Sequence, residues 1–457
     1  MSSSRVRAAG LALLFSVAAS VRAAAQEEGQ RWSEVELQPF EGARRPGVRS
    51  QLVPVQAGEL VYVASALRLF ALDARTLEPR WRAGPPRGWH GLEEEQRAAL
   101  LGGIDHELAW TMPGVGERAV VALLQLPFSR GKDEARYGQV VSRALPERRL
   151  FAYERETGKR LWDHAPASAK AARSGASGQR MNVIGPPLVV GERVLVACAS
   201  DESSIDYRVA AYELASGDLA WTTFVLRGQV ERNGLGQLTG EFSAPPLVLA
   251  PDGHVLVLTA CGALAVLSAT TGELTWSTRY PAEPLPRVHT VMPPRRTVRW
   301  RSTPPVVVGD VVLAAPMDSR ALLAFDLADG RLLWSLPDVE ETALPFRKLK
   351  SDHLIGAEAD TLYLGGPELA AIRCVGGLRA PSSWELVYAA PVGTTPGARA
   401  RLANGTLLVP DGARLHEIDA RTGAERRSRA ADATLGLLVQ DTALFAVGAG
   451  SLERLQP

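Results

Sequence analysis

The side chains best equipped for chemistry gather in one stretch. Arg287, His289, Arg295, Arg296, Arg299 and Arg301 lie within fifteen positions of each other, with Trp300 among them and no acidic residue. Guanidiniums at that density attract an anion or an acidic partner through charge-assisted, often bidentate hydrogen bonds. The indole of Trp300 adds a flat face for ligand contact, and Pro281, Pro284, Pro286, Pro293 and Pro294 stiffen the stretch. The competing reading is a solvated basic loop paired with neighbouring carboxylates.

Other candidates are thinner. Asp105-His106 and Asp352-His353 each place a base beside a group that could orient it, though such pairs are commonly loop hydrogen bonds. The remaining histidines are scattered without His-x-x-x-His spacing, Gly-x-Ser-x-Gly is absent, and Gly131-Lys132 lacks the upstream glycine of a phosphate loop. Cys198, Cys261 and Cys374 are odd in number and far apart. A bridge between Cys198 and Cys261 would need Cα atoms within about 7 Å, so buried free thiols are the expectation. No catalytic residue, cofactor site or metal site is assigned.

With 51 basic and 50 acidic residues, the net charge of +1 gives no bulk attraction for nucleic acid. Arg5 and Arg7, the apolar run Ala8 to Val21 and then Ala23-Ala24-Ala25 have the form of a cleaved signal peptide over residues 1–25. That run is too short to span a bilayer, which takes about 20 residues, and no cysteine follows the cleavage point for acylation. The expectation is a periplasmic or secreted monomer in which residues 26–457 form a single domain.

The elements that must position these residues announce themselves as a repeat. Leu69–Trp81, Leu150–Trp162, Val209–Trp221, Leu264–Trp276 and Leu322–Trp334 each read as an alternating strand, a tight turn and a short strand ending in Trp. A sixth copy, Leu415–Arg427, has Arg427 in the Trp position. Gly158, Gly217, Gly272, Gly330 and Gly423 fit turns that need positive φ. Asp73, Asp326 and Asp419 sit where a short acceptor can bond turn amides. Trp81, Trp162, Trp221, Trp276 and Trp334 are read as structural wedges between adjacent sheets.

Gly185-Pro-Pro, Ala244-Pro-Pro and Thr303-Pro-Pro each precede an apolar strand, so the unit is four antiparallel strands. Between Trp81 and Trp162 lies one unit enlarged by insertions, with a short helix expected from Gly91. A degenerate unit ends near Trp384. The last 30 residues hold three strands, and the missing fourth is expected at the N-terminus, in Trp32–Gln38. The fold class is therefore all-β: an eight-bladed β-propeller of four-stranded antiparallel blades, its ring closed by an N-terminal strand joining the C-terminal blade.

The repeats resemble the PQQ-type propeller repeat, roughly Ala-x-Asp-x-x-Thr-Gly-x-x-x-Trp. Departures are Leu77 for Gly, Ser268 for Asp and Arg427 for Trp. The resemblance implies one of two activities. Quinoprotein dehydrogenases hold PQQ with calcium over the channel, often beside a Cys-Cys pair, which this chain lacks. BamB-like propellers are non-catalytic and present loops to protein partners. The expectation is the second: an exported scaffold, not an enzyme, binding an envelope or secreted protein through interblade loops. A PQQ-dependent dehydrogenase and a polysaccharide- or anion-binding propeller are the alternatives.

Overall fold

The computed structural model describes residues 30–31, 51–65, 67–84, 108–136, 139–164, 181–200, 205–228, 243–284, 299–336, 349–395, 397–440, 443–448 and 451–455. Strands that alternate apolar and polar residues pair antiparallel into eight blades: residues 55–83, 114–164, 181–228, 248–279, 306–336, 353–390, 401–430 and 436–455. We number them 1 to 8 in chain order. Blade 3 has a fifth strand, because Met181–Val183 pairs with the far end of Arg193–Ser200. In blade 8 the fourth strand is Gln30–Arg31, which lies antiparallel to Ser451–Leu452. The strand anticipated for that join, Trp32–Gln38, lies outside the described residues.

Among the described residues the core is divided into eight apolar clusters, each shared by two neighbouring blades. Leu195, Tyr207 and Val209 of blade 3 meet Val255, Val257 and Ala265 of blade 4 in one of them. Another joins Val61, Val63 and Phe70 of blade 1 to Phe445, Val447 and Leu452 of blade 8, so the series of contacts returns to its start. Burying both faces of each sheet against neighbours removes apolar area from water, at about 25 cal/mol per Å².

The repeat's tryptophans clamp each blade to the one after it. The indole N–H of Trp81 donates to the Arg155 carbonyl at 3.0 Å, that of Trp162 to Leu214 at 2.8 Å, and that of Trp276 to Leu327 at 3.0 Å. Trp221 reaches Thr270 and Trp334 reaches Leu378. In four of these clamps the ring lies on the next blade's turn glycine, so closely that a Cβ on Gly158, Gly217, Gly272 or Gly330 would meet the indole. Those glycines have φ between 69° and 73°, so the turn and the clamp need the same residue for two reasons. Asp73 accepts the Arg75 and Thr76 amides, and Asp419 that of Thr422, as the turn chemistry requires.

Two features depart from expectation. Blade 6 does not end its clamp at Trp384. That residue pairs with Cys374, and Tyr388 stands opposite Ala371, in the register where Trp162 faces Ala152. Tyr388 lies on Gly423 and donates its hydroxyl to the Ala420 carbonyl at 2.8 Å. Trp384 instead meets Trp334 edge to face, with ring centroids 6.1 Å apart. The enlargement of blade 2 includes an insertion that is itself β-structure. Ala119–Arg136 and Gln139–Glu154, of 18 and 16 residues, form a ribbon whose rungs from Leu124–Arg149 outward have no third strand among the described residues. The helix expected from Gly91 lies outside the described residues.

Antiparallel order fixes which connections share an end. The chain leaves each blade on the same side as it makes the turn between its second and third strands. The blade 2 ribbon, the described ends of the interblade connections and the segments leading into each first strand therefore occupy one end of the ring. The glycine turns occupy the other.

Candidate functional site

At the loop end, the segments preceding the first strands converge on the channel. Several bonds join them side by side: Gln51 N–H to Ala109 O, Leu52 N–H to Leu435 O, and Arg301 N–H to Asp352 O. Others reach further. Gln51 Nε2 donates to the Gly397 carbonyl at 2.6 Å, and Ala109 N–H to Ser243 Oγ at 3.0 Å. Trp110, 2% exposed, donates Nε1 to the Ser302 carbonyl at 3.1 Å, linking the lead into blade 2 to the lead into blade 5. Blades three places apart on an eight-membered ring are not neighbours, so this bond bridges part of the central opening.

Around that indole the cations collect. The guanidinium carbons of Arg399 and Arg401 lie 6.0 and 5.6 Å from the Trp110 ring, a distance at which the ring face attracts a cation. Arg399, 8% exposed, donates Nη2 to the Ser302 carbonyl at 3.1 Å, while its Nε and Nη1 are buried without partners. Burial, then the charge of Arg301, lowers its pKa to about 9, with Asp352 opposing and Arg401 adding to the shift. Burial also lowers that of Arg401. The Arg399 guanidinium remains charged at neutral pH.

The one carboxylate bearing on Arg399 is committed elsewhere. Asp352 accepts from Arg301 Nε at 2.8 Å through one oxygen and lies 2.7 Å from His353 Nδ1 through the other. His353 Nε2 accepts the Ala400 amide at 3.3 Å, so the proton sits on Nδ1 and is donated to Asp352. Burial holds the ring neutral, with its pKa lowered to about 4 despite the Asp352 bond. The pair noticed in the sequence is thus a buried strut between blades 6 and 7; with both nitrogens bonded, His353 has no free base position. The Asp105-His106 pair lies outside the described residues.

Of the basic stretch, Arg287, His289, Arg295 and Arg296 lie outside the described residues. Arg299 stacks on Trp300, 4.9 Å from the ring. Trp300 is not the exposed contact face expected of it: it is 3% exposed, packs with Leu313, Leu322 and Leu354, and donates Nε1 to the Arg320 carbonyl. Arg301 meets a carboxylate, as the bland reading had it, yet its Nη1 is buried and unpartnered. What the sequence did not reveal is that Arg399, Arg401 and Trp110 join Arg301. The available signal was Ala398-Arg-Ala-Arg401, which puts two arginines where other blades carry Pro-Pro and valines. All three cysteines are free thiols, with Cys198 and Cys374 buried.

Among the described residues no three His, Cys, Asp or Glu side chains gather as metal ligands. The mouth offers three guanidiniums and one engaged carboxylate, a set that repels a divalent cation, so calcium with a quinone cofactor does not fit there.

Comparison with known proteins agrees with this architecture. The family described as outer membrane protein assembly factor BamB matches residues 105–226 and 205–409. BamB from Moraxella catarrhalis is similar in structure, with a TM-score of 0.52 at 16% identity over 89% of this chain and 94% of that one. The quinohemoprotein alcohol dehydrogenase ADHIIG from Pseudomonas putida HK5 gives 0.50 at 15% identity, over 89% of this chain and 71% of that one. Sqt1 from Saccharomyces cerevisiae gives 0.52 at 10% identity, over 94% and 99%. At these identities the likeness is one of fold. No curated protein sequence matches the chain.

Proposed function

Because this chain belongs to the family of the outer membrane protein assembly factor BamB, we propose that it is an exported, non-catalytic propeller that binds an envelope or secreted protein through its interblade loops. Residues 1–25 serve as the cleaved signal, and the mature chain, residues 26–457, works as one domain in the periplasm or outside the cell. The observation that carries the reading is the blade 2 ribbon. It extends from the end of the ring that bears the interblade connections, and among the described residues no strand covers its two edges. Open edges of this kind accept a strand from a partner by backbone hydrogen bonding, and Arg299 and Arg301, on the segment leading into blade 5, add positive charge at the same end.

Crosslinking in the native envelope, followed by capture of the chain, tests the proposal. Replacing residues 125–148 by an Asn-Gly turn, and separately making Arg295→Glu with Arg296→Glu, should each reduce the captured partner without moving the melting temperature. Undiminished capture by both variants would remove the loop end from consideration. The dehydrogenase alternative makes the opposite demand: a rise in melting temperature with PQQ that requires calcium.

A further inference from the structure

The cations at the channel mouth are arranged for something the chain itself does not supply. A guanidinium buried with unpaired N–H groups is costly, because it gives up its water without replacement. Arg399 is 92% buried by its 8% exposure, with Nε and Nη1 unpartnered. The segment whose Ser302 carbonyl Arg399 meets carries further buried polar atoms in the same condition: Arg301 Nη1, Ser302 Oγ and Thr303 Oγ1. Ser302 and Thr303 are each 3% exposed. Ser302 is fixed next to Arg399 because its carbonyl accepts Nη2 of that residue.

Charge points the same way. Among the described residues, the groups that bear on Arg399 are Arg301, Arg401 and Asp352, two cations and one anion. Asp352 already serves Arg301 and His353, and His353 is neutral. Trp110 offsets part of the cost through its ring face, but an aromatic quadrupole accepts no hydrogen bond from Nε or Nη1 at such distances. The cluster therefore retains an excess of positive charge and a set of N–H and O–H donors.

We propose that the channel mouth is a binding site for a small oxyanion, a phosphate or carboxylate group, held between the guanidiniums of Arg399 and Arg301 and the hydroxyls of Ser302 and Thr303. Forked N–H donors match two oxygens of such a group, and hydroxyls supply the shorter contacts. Lys would satisfy the charge but not the fork. The site uses segments leading into blades 5 and 7, so an anion there also ties those blades across the ring. It stands apart from the partner-binding proposal and can hold if that fails.

Isothermal titration of the full chain, in buffer free of phosphate and carboxylates, tests this with inorganic phosphate and with malonate. Saturable binding of one anion per chain is expected for at least one of them, and the tighter of the two identifies the chemistry. Arg399→Gln should weaken it tenfold or more and Arg399→Lys by an intermediate factor, whereas Arg80→Gln on the outer edge of blade 1 leaves it unchanged. If Arg399→Gln does not fold, as judged by far-ultraviolet circular dichroism, Thr303→Val and Arg301→Gln carry the same expectation. No saturable binding of either anion overturns the proposal, and so does binding that survives in the folded Arg399 or Thr303 variants.

Discussion

Gly191 and Gly217 provide a controlled comparison for the clamp within a single blade. Both have positive φ, 57° and 73°. A Cβ on Gly191 meets nothing within 4 Å, whereas one on Gly217 would stand 2.7 Å from Cδ2 of Trp162. Gly191→Ala therefore carries the left-handed backbone penalty alone, about 1–2 kcal/mol. Gly217→Ala carries the same penalty plus overpacking of about 1–3 kcal/mol, since carbons prefer separations of about 3.5–4.0 Å. Relief by moving the indole loosens its 2.8 Å bond to Leu214, worth about 1 kcal/mol. The totals are about 1–2 against about 3–6 kcal/mol. Urea unfolding followed by tryptophan fluorescence measures both, with the slope checked for constancy. A cycle with Trp162→Ala should show the Gly217 cost falling when the ring is gone. Equal losses at the two glycines, or an additive cycle, would mean that the indole does not constrain the turn.

Three further outcomes follow from the structure. His353 is held neutral, with a pKa lowered to about 4 from the ordinary 6.5. The unfolded chain therefore binds the extra proton first, and the stability due to this residue is full above pH 6.5 and lost as pH falls toward 4. Stability curves should flatten over that window in His353→Gln, and an unchanged slope would refute the assignment. Burial pushes the thiols of Cys198 and Cys374 up to about 12, so at pH 8 neither should react with a disulfide reagent until the protein unfolds. Tyr388→Phe should cost about 1 kcal/mol by leaving the Ala420 carbonyl without its partner, and Tyr388→Ala several times more in the same unfolding assay.

The clamp was legible because five units carry their own turn and their own aromatic within thirteen residues, so one strand's spacing predicts the contact. Tyr388 escaped notice because the pattern was followed through tryptophan, although any flat ring with a polar tip meets the same demand. Its fit on Gly423 shows that shape and a donor, not the indole itself, are what the neighbour requires. The channel mouth was not legible for the opposite reason. Trp110, Ser302 and Arg399 are separated by 192 and 97 positions, and each looks alone like an ordinary connecting residue. Only closing the circle brings them together. Trp300 misled because a tryptophan among arginines suggests an exposed face, whereas its lead-in segment turns the ring into the core between blades 5 and 6.

The alternation of glycine turn and terminal aromatic has an evolutionary corollary. A module of this kind ends with a key for the lock carried by its successor, so an in-frame duplication copies both parts intact. A new petal arrives already matched to those on either side, and only the wedge angle has to adjust. Rings of different circumference can thus descend from one ancestral cassette, while the central orifice is left free to diversify.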